Sequence, residues 1–156
     1  MLGLEFRFCM RGSYYLFDAP LDEHACSVDL VAFLEGVTAR QKHSLLTGRA
    51  SLVGRSTFAG LASDRPVRGT MTLLWIERRV PYDLEFTSDQ GRTLHVRGQH
   101  DFMVMDALGS ITTLPASLYS AGGEEIGRLV LRFDYKSDTK RLLKSLRPVF
   151  QVGGRP

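Results

Sequence analysis

The side chains best equipped for chemistry in this chain are four histidines, two cysteines and a few paired carboxylates, so their spacing decides what they could do together. His95 and His100 lie five residues apart on one extended segment and therefore project to opposite faces, which keeps them from sharing a metal ion directly. His24 and His43 fall near loops, where an exposed imidazole is common. Cys9 and Cys26 match no zinc or redox spacing and read as two small half-buried side chains of a reducing compartment, ahead of a bridge between neighbouring strands. Asp83 and Glu85 alternate onto one face and read as solubilising charges rather than as a glycosidase pair. A Gly-x-Ser-x-Gly elbow, a Gly-x-Gly-x-x-Gly turn, a phosphate loop and a His-Glu-x-x-His helix are all absent. The expectation is no catalytic residue, no metal and no cofactor.

What remains is the capacity to grip an apolar molecule. Met71, Trp75 and Tyr82, with His100 and Phe102, combine polarisable or aromatic bodies with polar tips, which both pack and orient a ligand. These five are the candidate lumen residues. The same side chains would serve plain core packing, because a small barrel can fill itself. His100 shares its face with Leu94, Val96 and Phe102, and a hydrogen-bonded core or rim histidine is the favoured reading of it over a functional one.

The elements that must position them are strands. Leu4, Phe6, Phe8 and Met10 alternate with Glu5, Arg7, Cys9 and Arg11, the period of a half-buried strand, and Gly12 marks a bend or bulge before the aromatic run Tyr14 to Phe17. Residues 26–42 are ambiguous: Cys26, Val28, Leu30 and Ala32 fit a strand, whereas Leu30, Phe33, Leu34 and Val37 fall at helical spacing behind Asp29. A strand to about Ala32 followed by a short helix near residues 33–42 reconciles them. Leu46 to Val53 reads as a strand and Gly60 to Pro66 as a loop. From Val67 onward the alternation is strong, through Met71, Leu73 and Trp75, then Tyr82, Leu84 and Phe86, then Leu94, Val96 and Gly98. Asp89-Gln90-Gly91 and Ala121-Gly122-Gly123 supply hairpin turns, and with no Asn in the chain Gly and Asp must do that work. Pro115 requires its strand to be an edge, bulged, or short on one side. Ser137 or Asp138 caps a C-terminal helix with Leu142, Leu143 and Leu146 on one stripe and Lys136, Lys140, Lys144 and Arg147 opposite, a basic row that reads as a solvated face.

About eight strands at hairpin spacing, without strand-helix alternation, predict a mainly β protein: one antiparallel barrel domain over residues 1–156 with those two helices. Closure removes exposed edges and leaves room for packed side chains or one small ligand. A net charge of +3 dispersed along the chain predicts no nucleic-acid partner. No apolar run approaches the roughly 20 residues of a membrane-spanning helix, and the N-terminus lacks a leader pattern, so a soluble cytoplasmic protein is expected.

Gly69-Thr70-Met71, the run from Tyr82 to Thr93, Gly98, Thr112-Thr113-Leu114 and Gly127 to Arg132 resemble a β domain of large bacterial polypeptides that also carry cholesterol-oxidase-like (GMC-type) flavin oxidoreductase and hydrolase regions. The resemblance spans roughly residues 69–149 and implies an accessory, lipocalin-like barrel used near sterol or lipid metabolism. It transfers no catalytic residue, since no flavin-binding or nucleophile motif occurs in this chain. Three functional readings follow. The leading one is a non-enzymatic barrel that binds a small hydrophobic, lipid- or sterol-like ligand or docks beside a partner enzyme. The second is a structural or protein-interaction module with a solid core, pairing with another chain or a second copy. The third is a small barrel enzyme using His100 with Tyr82 or a nearby acid.

Overall fold

The computed structural model describes residues 2–34, 47–74, 79–101, 111–134, 144 and 147–150. Nine strands cover nearly all of them: β1 Leu2–Leu16, β2 Ala19–Leu34, β3 Thr47–Phe58, β4 Ala62–Leu74, β5 Arg79–Thr87, β6 Thr93–Asp101, β7 Ile111–Ser120, β8 Glu125–Asp134 and β9 Arg147–Phe150. Each of the first seven pairs antiparallel with the next, and β1 pairs with both β2 and β8, so the sheet closes into an eight-stranded barrel. The ninth strand adds to Leu2–Glu5 of β1, beyond the stretch Arg11–Leu16 that β8 covers.

The register fixes how wide this barrel is. Partner to partner from Leu4, the circuit runs Leu34, Ala50, Met71, Tyr82, Gly98, Ala116, Leu129 and back to β1 at Tyr14, so a trip from position 4 to position 14 gives a stagger of ten residues. That exceeds the stagger of about 8 in the solidly packed (β/α)8 barrel and, for equal strand number, widens the interior. Glycines make the necessary curvature. A Cβ at Gly12 would stand 1.7 Å from the Val130 carbonyl oxygen, and one at Gly54 1.8 Å from that of Asp29, so neighbouring strands approach where only glycine fits. No bulge occurs at Gly12; the β1–β2 register runs unbroken through it and shifts instead between Tyr14 and Leu16.

The period-two reading holds where it was strongest. Val80, Tyr82, Leu84 and Phe86 of β5 are buried in strict alternation, and Leu129 and Leu131 of β8 are buried while Arg128 and Arg132 are exposed. The prolines sit where a ladder stops. Pro115 lies one residue past the β6–β7 register, which runs from Leu94↔Ser120 to Gly98↔Ala116, and Pro66 lies one residue past Val67↔Phe86. Both positions spare the sheet a missing N–H.

Three further expectations need correction. The alternation of Cys26, Val28, Leu30 and Ala32 continues through Phe33 and Leu34 as strand, because both β1 and β3 pair with it there; a helix cannot begin at 33. The remainder of that expected helix, 35–42, lies outside the described residues. Residues 62–66 are strand, not loop: a bulge sets Ser63 and Asp64 opposite Thr57, and Asp64 takes φ 46° under a two-pronged grip by Arg55. Arg147 opens β9 instead of ending a helix, and the expected C-terminal helix lies outside the described residues apart from Lys144. No helix among the described residues is long and apolar enough to cross a membrane.

Candidate functional site

The two ends of the barrel are built differently. At one end the turns after β1, β3, β5 and β7 are a few residues each. Three of them place a glycine at positive φ, Gly60 at 79°, Gly91 at 80° and Gly123 at 85°, with open space around each, so backbone freedom alone selects glycine there. These turns are also tied to their neighbours: Asp89 N–H donates to the Leu61 carbonyl of the adjacent turn, while Ala59 N–H donates to the Ala25 carbonyl of β2 and Phe17 N–H to the Ile126 carbonyl of β8. Beneath them Phe58 stacks on Phe86 at 4.7 Å and meets Tyr14 edge-on at 5.3 Å, while the Tyr14 hydroxyl donates to the Ala59 carbonyl. This aromatic plug closes the barrel.

The connections after β2, β4, β6 and β8 all leave from the opposite end, the mouth. Here the wall loosens. The β6–β7 register ends at Gly98, the β1–β8 register ends at Arg11, and the β4–β5 register skips Thr72 and Leu73 opposite Val80 and Pro81. The inner surface beside Met71 and Tyr82 is made of small residues, Ala50, Gly98 and Ala116, while Val80 and Leu114 are buried nearer the mouth.

Tyr82 occupies the space those small residues leave. A Cβ at Gly98, its direct partner on β6, would stand 2.4 Å from the Tyr82 hydroxyl oxygen and 3.0 Å from the Ala116 Cβ. The phenol therefore lies across the inner face of β6 toward β7. Tyr82 is 8% exposed, and its buried hydroxyl has no hydrogen-bond partner among the described residues. Burial pushes its ionisation well above the ordinary tyrosine range, so it stays a neutral donor. A buried polar atom without a partner is uncommon enough to need a reason.

Of the five lumen candidates, the structure brings Met71 and Tyr82 together: they are direct cross-strand partners, Tyr82 buried and Met71 half-buried against the core. His100 pairs with Val80 through its backbone, but its side chain is outside what is described. Trp75 and Phe102 lie outside the described residues. Sequence reasoning missed Ala50 and Ala116 as lining residues. Small apolar side chains carry no chemical signal, and only the register shows that they border Met71 and Gly98. No family model, curated protein or solved structure matches this chain.

Away from the mouth, the titratable groups are accounted for by pairing or burial. Asp83 holds Arg97 at 3.0 Å and Glu85 holds Arg68 at 2.8 Å on the outer face, cross-strand pairs that agree with the solubilising reading. His95 Nδ1 is 3.5 Å from Asp83 Oδ1 on that same outer face and, like the Tyr82 hydroxyl, is buried without a hydrogen-bond partner among the described residues. His24 is exposed and tilts over the Tyr14 ring at 5.4 Å. Both cysteines are free: Cys9 is half-exposed opposite Asp29, and Cys26 is buried, where desolvation pushes its thiol up to about 12 and leaves it unreactive. Among the described residues no three His, Cys, Asp or Glu side chains gather as a metal site.

Proposed function

We propose that this chain is a non-enzymatic, lipocalin-like barrel that binds a small hydrophobic molecule of lipid or sterol type through its mouth, as a carrier or as an accessory module beside an enzyme of lipid or steroid metabolism in the cytoplasm. The observation that supports it is the buried, unpartnered Tyr82 hydroxyl set among Met71, Gly98 and Ala116, an apolar surface with a single polar atom to spare. The resemblance to accessory domains of cholesterol-oxidase-like polypeptides points the same way. Thermal unfolding in the presence of cholesterol and of fatty alcohols tests it. A ligand at about a hundred times its Kd adds about 2.7 kcal/mol and raises the Tm by about 5–10 °C. If no sterol or acyl compound moves the Tm, the reading fails.

A second reading draws on a different observation. Leu52, Leu84, Leu118 and Leu131 are at most 2% exposed and fill the middle of the barrel, as a solid-cored interaction module would require. That reading predicts a partner chain or a second copy bound at an outer face. Sedimentation as a monomer, with nothing recovered in a pull-down, would count against it.

A further inference from the structure

Resting on the ligand-binding reading, we propose that the buried end of the bound molecule carries one uncharged oxygen, as an alcohol or a ketone does, and that Tyr82 is the residue that hydrogen-bonds it. Three observations carry this. First, the hydroxyl-bearing side chains buried among the described residues besides Tyr82 are Tyr14, Ser56 and Ser88, and none competes: the Tyr14 hydroxyl donates to the Ala59 carbonyl at the closed end. Ser56 donates to the Arg65 carbonyl at 3.3 Å and Ser88 Oγ accepts from Arg92 N–H at 3.1 Å, both toward the closed end. Second, no buried side chain in the described set is charged. A carboxylate or phosphate driven as deep as Tyr82 would lose its water and find no counter-charge, an arrangement proteins avoid. Third, the phenol lies on the inner face of β6, in the place a Gly98 side chain would take, so its hydroxyl is directed along the wall and not out of it.

The aromatic plug closes the far end, so entry is from the mouth and the leading end of the ligand is the one that reaches Tyr82. A neutral alcohol can lead with its oxygen. A fatty acid must keep its carboxylate in water at the mouth and lead with its methyl terminus, which gains nothing from the hydroxyl. In the free protein the same hydroxyl is a cost, because it has given up water without a replacement.

The test is isothermal titration of wild type and Tyr82→Phe with 1-dodecanol and with dodecanoate at pH 8, alongside thermal unfolding of both proteins without ligand. The expected result is that wild type prefers dodecanol, that Tyr82→Phe weakens dodecanol about 3- to 10-fold and leaves dodecanoate within about two-fold, and that the free variant melts about 2–4 °C higher. Equal losses for both ligands, an unchanged dodecanol affinity, or a lower Tm of the free variant would overturn the role of Tyr82 while leaving a lipid site in place. Failure of both ligands to bind wild type would remove the lipid site itself, and this inference with it.

Discussion

The closed end and the mouth of this barrel are made from the same eight strands, yet their described residues are organised differently. At the closed end, turns of a few residues hydrogen-bond to neighbouring turns and strands above the Tyr14, Phe58 and Phe86 rings. At the mouth, three seams lose their register, small residues border Met71 and Tyr82, and the Tyr82 hydroxyl is buried without a partner among the described residues. Val80 and Leu114 are buried at that end too, so the difference that the ligand-binding proposal rests on is the unpartnered Tyr82 hydroxyl and not looser register alone.

The largest effect that could break this comparison is a cavity at the closed end. Phe58 is 1% exposed and contacts two other rings, so Phe58→Ala should cost about 3–5 kcal/mol in guanidinium unfolding. Met71→Ala at the mouth removes a half-buried side chain and should cost about 1 kcal/mol, because only part of its surface leaves water on folding. Similar losses at the two sites would mean that the mouth is as much a packed core as the plug, which favours the solid-cored reading.

How much of this was legible in the sequence follows the same division. Tyr82, Leu84 and Phe86, and Leu129 and Leu131, announced their strands because each apolar residue faces one continuous interior and each intervening residue faces water. Gly91 and the Gly122-Gly123 pair announced turns because a positive φ has a composition. The helical spacing of Leu30, Phe33 and Leu34 misled because the outer face of β2 also carries apolar residues there, Val31 and Phe33, both half-buried, which blurs the period of two. Arg55 could not have been foreseen as the partner that holds Asp64 in a left-handed conformation, since the bulge that joins them depends on pairing. The site was legible only in part. Met71 and Tyr82 were named from chemistry, but their becoming neighbours, with Gly98 and Ala116 beside them, is a consequence of register.

Glycine replacements sharpen the comparison at an intermediate scale. An added methyl at Gly54 meets a backbone carbonyl, which cannot move without breaking the β2–β3 ladder, and Gly54→Ala should cost about 3 kcal/mol. The same methyl at Gly98 meets the far end of the Tyr82 side chain, which can swing toward the mouth, and Gly98→Ala should cost about 1 kcal/mol. Urea unfolding of the two variants reads the difference. A Gly98→Ala penalty equal to that of Gly54→Ala would show that Tyr82 is locked in place and that the mouth has no room to spare.

The smallest expected effect concerns Asp89, which ties two turns of the closed end. Its carboxylate accepts from Ser63 N–H at 3.0 Å and from Arg65 Nε at 2.8 Å, and its backbone N–H donates to the Leu61 carbonyl. The Ser63 hydrogen bond first, and then the Arg65 guanidinium, hold its ionisation below the ordinary aspartate range. A carboxyl depressed in the folded state stabilises the fold at pH values above its unfolded pKa, of about 4, and loses that contribution as pH falls through the lower folded value. Asp89 is exposed to solvent, so the contribution is a small one. Asp89→Asn should therefore melt slightly below wild type at pH 7, with the gap closing as the pH is lowered past about 3–4, and it should bind dodecanol as wild type does. A gap that persists in acid would assign the effect to hydrogen-bond geometry instead of charge. A change in dodecanol affinity would mean that the two ends of the barrel are energetically coupled and that the division of labour between them does not hold.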